Sequence, residues 1–165
     1  MAKESSFDVV SSVDMQEVDN AVQQTARELT QRYDLKGSGA AIELSKAEGV
    51  ITVSAPSEFT ASQVTDILNG RLVKRSVDLK AVKWDDPQSA SGGNVRLVGH
   101  VVQGIDQDTA KKIAKDIRDL KLKAKATVEG DKLRVSSASK DVLQKVISSL
   151  RERDYGQPLQ FNNYR

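Results

Sequence analysis

"KAKATVEGDKLRVSS", residues 123–137, holds two alternating runs separated by a Gly-Asp pair. Polar and apolar side chains take turns over Lys123–Glu129 and again over Lys132–Ser136, the period of a strand with one buried face. Gly130-Asp131 is a two-residue hairpin turn. With the turn there, Glu129 lies opposite Lys132, Thr127 opposite Arg134, and Lys125 opposite Ser136. Alternation then sends Lys123, Lys125, Thr127, Lys132 and Arg134 to one side of a sheet. Leu122, Ala124, Ala126, Val128, Leu133 and Val135 go to the other, where helices must pack.

Those helices are legible on either flank. Asp106 caps a helix whose apolar stripe is Ala110, Ile113, Ile117 and Leu120; Ser139 caps another carrying Val142, Leu143, Val146, Ile147 and Leu150. "VRLVGHVV" (95–102) reads as the preceding strand and "QPLQF" (157–161) as the closing one, with Pro158 suited to an edge. The first half of the chain has the same order. A strand over residues 6–11, containing "SFDVV", precedes a helix with a predicted capping box, Asp14 and Glu17, and apolar Val18, Val22, Thr25, Leu29 and Tyr33. "AAIEL" and "VITVS" follow as strands, then a helix from near Ser57 with Val64, Ile67, Leu68 and Leu72, then "VDLKAVKW" as a strand. "DDPQSASGGN" (85–94) has linker composition. "ITVSAPS" lines up with "LRVSSAS", and "VDMQEVDNAV" with "IDQDTAKKIA". The predicted fold class is α+β: two tandem ferredoxin-like βαββαβ domains, residues 1–84 and 94–165, each an antiparallel sheet with both helices on one face.

Composition narrows the function. The chain has 165 residues, no cysteine and one histidine, which argues against disulfides, thiolate metal sites and a cysteine nucleophile, and fits a cytoplasmic protein. "MAKESSFDVV" has no apolar leader core, and no run of about 18 apolar residues suggests a membrane span. Net charge is +2, but the residues through Asn69 hold 5 Lys/Arg against 11 Asp/Glu, and those from Gly70 hold 20 against 12. A basic half suits an anionic partner.

Several separated stretches resemble one family. "SSFDVVSSVDMQEVDNAV", "LVKRSVDLKAVKW", "SASGGNVR", "QGIDQDTAKKIAKDIRD", "LKLKAKATVEGDKLRVSS" and "LQFNNYR" are similar to the YajQ family of bacterial nucleotide-binding proteins, from about Ser5 to Arg165. The resemblance implies that each domain takes the first strand of the other: strand 6–11 pairing in the second, strand 95–102 in the first. It also implies nucleotide binding, with nucleic acid and cyclic dinucleotides both suggested as ligands. Ala138 departs from the pattern, standing where the family often has a second positive charge.

The candidate nucleotide-binding residues are Lys123, Lys125, Lys132 and Arg134 on the hairpin face, with Arg96 and His100 sharing one face of strand 95–102. Like charges crowded on a strand face are relieved by an anion, and Arg134 can hold phosphate through two parallel hydrogen bonds. The same pattern also fits an ordinary solvated face, as do Lys111, Lys112, Lys115, Arg118 and Lys121 on the outer surface of their helix. Bases would not stack in the manner of RNA-recognition motifs, because "VITVS" and "KLRVS" carry no aromatic residue. Of the final aromatics, Phe161 is predicted to be packing, leaving Tyr155 and Tyr164 for stacking. "GSGA" follows a helix instead of opening one, no Walker-type lysine loop occurs, and neither a catalytic residue, a metal site nor a cofactor can be named. The expectation is a non-catalytic binder of a nucleotide, cyclic dinucleotide or RNA, through the basic open sheet face and the groove between domains. The alternative is a regulatory module whose exposed sheet meets a protein partner or a second copy of itself.

Overall fold

The computed structural model of the chain describes residues 4–165; the first three residues of the stretch read for a leader lie outside it. Its elements are β1 (Ser5–Val10), α1 (Met15–Gln31), β2 (Ala41–Ser45), β3 (Val50–Ala55), α2 (Glu58–Lys74), β4 (Val82–Trp84), β5 (Gln88–Ser89), β6 (Val95–Val101), α3 (Gln107–Asp119), β7 (Lys125–Glu129), β8 (Lys132–Ser137), α4 (Lys140–Glu152) and β9 (Gln160–Asn162). They make a mixed α+β structure with four α-helices and two antiparallel sheets, divided into two compact units.

One unit joins the residues up to Ser12 to Gln103–Arg165. Its sheet has the order β7-β8-β1-β9. β7 and β8 pair in the register expected from the turn, Lys125 with Ser136, Thr127 with Arg134 and Glu129 with Lys132. Gly130 has φ +64°, the left-handed region that glycine enters without a Cβ penalty. β1 lies on the far side of β8, Phe7 opposite Val135 and Asp8 opposite Arg134, and β9 completes the sheet with Phe161 opposite Val9. One face is apolar: Phe7, Val9, Leu133 and Val135 bury completely against Ala110, Ile113 and Ile117 of α3 and Val146, Ile147 and Leu150 of α4. Val128 departs from the expected packing, at 42% exposure, because β7 is the sheet edge and the turn carries it past the helix layer.

The other unit is Val13–Val102. Its sheet runs β2-β3-β6-β4, with β5 also on β6. Val53 opposite Leu97 and Ile51 opposite Gly99 set the register, and Val18, Val22 and Leu29 of α1 join Val64, Leu68 and Leu72 of α2 over this face.

Four local expectations are corrected here. α1 stops at Gln31, and Tyr33, placed on its stripe by spacing, is fully exposed. Glu17 does not complete a capping box. Asp14 Oδ1 accepts from the backbone N–H groups of Gln16 and Glu17, while the Glu17 carboxylate accepts from Asn20 and from Arg75 at 3.2 Å. In "VDLKAVKW" only Val82–Trp84 is strand. Asp78 accepts from the Lys80 N–H at 2.9 Å and folds Leu79–Ala81 into a 3₁₀ turn, as short polar side chains do when they bond to nearby backbone. Finally, residues 85–94 do not run as a structureless linker: Gln88 and Ser89 pair with Arg96 and Val95, so the segment doubles back along β6.

Candidate functional site

The polar face of the β7-β8-β1-β9 sheet lies opposite α3 and α4. Directly paired residues share a face in an antiparallel sheet, so Thr127, Arg134, Asp8 and Asn162 form one row across four strands. Asp8 is the centre of that row. It is 3% exposed, and its carboxylate accepts from Lys132 Nζ at 3.3 Å, Arg134 Nε at 3.3 Å and Asn163 Nδ2 at 2.8 Å. Burial alone would favour the neutral acid, but the hydrogen bonds from Asn163, Lys132 and Arg134 outweigh it and hold the carboxyl below its ordinary value. Asp8 is therefore an ionised anchor under two cations.

This changes the expected surface. Lys132 and Arg134 are partly buried and tied down, each side chain about a third exposed at 37% and 31%, while Lys123 and Lys125 are exposed and stand at the open end of the row. Four cations meet two carboxylates on this face, Asp8 and Glu129. Asp8 uses Nε of Arg134, and one carboxylate cannot neutralise two cations. The face remains electropositive.

Arg96 and His100 lie elsewhere, on the polar face of the five-stranded sheet. Arg96 stands opposite Ser54 and Gln88, and His100 opposite Val50 and Lys83. The His100 ring Nε2 is 2.9 Å from Asp85 Oδ2, both side chains about half exposed. The six candidates thus divide into four on one unit and two on the other.

The final aromatics are better placed than the tail's polarity suggests. Phe161 packs edge-on to Phe7, ring centres 6.0 Å apart, and Arg151 sits over its ring at 5.5 Å. Tyr155 is not free: its hydroxyl donates to Asp116 Oδ2 at 2.6 Å, and burial together with that carboxylate raises its pKa far above the ordinary tyrosine value. Tyr164 is 58% exposed. The residues that sequence reasoning missed are acids and amides: Asp8, Asn163 and Asp85. Asp8 left one signal, an acidic residue inside the apolar run "SFDVV", whose charge demands a partner when the strand is buried. Among the described residues no group of three or more His, Asp or Glu is placed to hold a metal ion, and no helix is long and apolar enough to cross a membrane.

A family model described as nucleotide-binding protein YajQ-like matches residues 5–165. A nucleotide-binding protein of Desulfitobacterium hafniense is 49% identical over 165 residues, covering all of both chains. Another, of Magnetococcus marinus, is 47% identical over 160 residues, 97% of this chain and 98% of its own. A third, of Thioalkalivibrio sulfidiphilus, is 49% identical with the same coverage.

Proposed function

The chain belongs to the YajQ-like family of nucleotide-binding proteins, and we propose that it binds the phosphates of a nucleotide, cyclic dinucleotide or RNA on the polar face of the β7-β8-β1-β9 sheet, without catalysing a reaction. The observation that carries this is the Asp8–Arg134 pairing. A guanidinium already fixed through Nε presents its terminal N–H groups at little further entropic cost, the preorganisation that phosphate recognition needs. Lys125 and Lys123 supply mobile charge beside it. Arg96 and His100 form a second, smaller basic surface on the other unit. No nucleophile with an oriented base stands on the sheet face, and the relatives' names describe binding. The cysteine-free composition supports a cytoplasmic setting.

We further infer that the two units are ferredoxin-like halves that have traded first strands. The support is the register: β1 completes the sheet of β7, β8 and β9, and β6 that of β2, β3 and β4.

The test is a titration of the purified chain against mononucleotides, cyclic dinucleotides and oligoribonucleotides at two salt concentrations, repeated with Lys125→Glu and Arg134→Glu. Binding of cyclic dinucleotides and oligoribonucleotides should disappear in both variants. Unchanged affinity would remove the ligand from this face, and salt-insensitive binding of a protein instead would favour the interaction-module alternative.

A further inference from the structure

Beside the end of the same sheet, a cavity of about 330 Å³ is lined by Ser5 and Ser6 of β1, Lys140, Leu143 and Gln144 of α4, and Tyr164 and Arg165. It is distinct from the lysine and arginine face, because the Tyr164 ring leans on Phe7, whose side chain belongs to the apolar face; the ring centres are 6.1 Å apart at 36°. The wall is firmly made. Ser6 and Arg165 exchange two backbone hydrogen bonds, at 3.2 and 3.0 Å, and Asn163, with φ +57°, turns the chain while its side chain donates to Asp8. These contacts hold the Tyr164 ring beside the cavity while leaving more than half of it uncovered.

We propose that this cavity is a second ligand site, taking one planar base that bears a single phosphate, a nucleoside monophosphate. Three features converge. Tyr164 offers the exposed aromatic face that the two central strands lack, and base–aromatic stacking tolerates any base. Leu143 gives an apolar floor, 4% exposed. At the rim, neither the Lys140 ammonium nor the Arg165 guanidinium has an ion-pair partner among the described residues, so two cations are available to one phosphate. The volume stands at the small end of ligand sites, which run from about 300 to 1,000 Å³, and matches one nucleotide. The choice of a nucleotide over another aromatic anion rests on the function proposed above; the cavity and its chemistry do not.

Calorimetric titration of the full chain with AMP, GMP, CMP and UMP tests this, with adenosine and ribose 5-phosphate as the separated halves of the ligand. Tyr164→Leu keeps apolar bulk against Phe7 but removes the aromatic face. It should weaken monophosphate binding roughly 5- to 150-fold and leave ribose 5-phosphate unaffected. Lys140→Glu should weaken both phosphates and spare adenosine. Monophosphate affinity unchanged in both variants, or absent in the folded wild type, overturns the second site. Lys125→Glu separates the two proposals. Oligonucleotide binding lost in that variant, with no monophosphate binding anywhere, sinks only the cavity; monophosphate binding lost in Tyr164→Leu, with oligonucleotides ignored, sinks only the sheet face.

Discussion

Asp8 and Arg134 are 126 positions apart in the chain and directly opposite one another on neighbouring strands, joined by a 3.3 Å hydrogen bond from Nε to Oδ1. The strand that brings the acid also lowers the charge contrast that the sequence displays. Over its described residues the unit holding β7 and β8 has 14 Lys/Arg against 11 Asp/Glu, because Glu4 and Asp8 are counted with it. Asp8 has two effects of opposite sign: it stabilises the fold and restrains the surface charge.

Asp8→Asn separates these effects. It keeps a group that can hydrogen-bond but removes the charge from beneath two cations, each about a third exposed, so the loss should be about 1–2 kcal/mol, read by urea unfolding. Nucleotide affinity should fall, since Arg134 loses the carboxylate that fixes its guanidinium. Affinity that rises in the folded variant would mean that the pairing does not preorganise a phosphate site.

Acid should reveal the same anchor. The folded carboxyl titrates below the ordinary aspartate value of about 4, so its contribution is complete above that pH and is lost as pH falls through the folded value. Wild-type stability measured from pH 6 downward should drop more steeply than that of Asp8→Asn. Parallel curves would show that the pairing contributes nothing.

Salt dependence counts the phosphates. If Lys125 meets one, Lys125→Ala should reduce the slope of log K against log salt by about 0.7–0.9. An unaltered slope means that Lys125 touches no phosphate.

Tyr155→Phe removes the hydroxyl that donates to Asp116 and should cost about 1.5–3 kcal/mol, as hydrogen bonds to charged acceptors do. The raised tyrosine pKa sets the alkaline sign. The unfolded phenol ionises from about pH 10 while the folded one stays neutral, so wild-type stability falls as pH climbs through that range, and the phenylalanine variant lacks this component. Chemical unfolding between pH 8 and 11 measures the difference.

Gly99→Ala should destabilise the other unit by about 1–3 kcal/mol. A Cβ there would stand 2.8 Å from Trp84 Cε3 and 2.9 Å from Val82 Cγ1, so the indole must shift. Trp84 is the only tryptophan, and its emission should change with the substitution. A spectrum and stability like those of the wild type would mean that β4 yields freely.

Structure that follows from neighbours in the chain was legible in the residues alone. The Gly130-Asp131 turn fixed the β7–β8 register, Asp106 and Ser139 fixed two helix starts, and 3.6-residue periodicity picked out nearly every buried position of α3 and α4. Local reasoning failed where a short contact overrode periodicity, as when Asp78 turned Leu79–Ala81 out of the strand. The candidate site emerges from the fold, because charge on a sheet depends on which strand lies alongside. Four cations can be read from residues 123–134, but the carboxylate that gathers two of them comes from residue 8 and the amide that steadies it from residue 163. Electrostatic energy depends on distance in space, and a linear pattern of charges does not contain that distance.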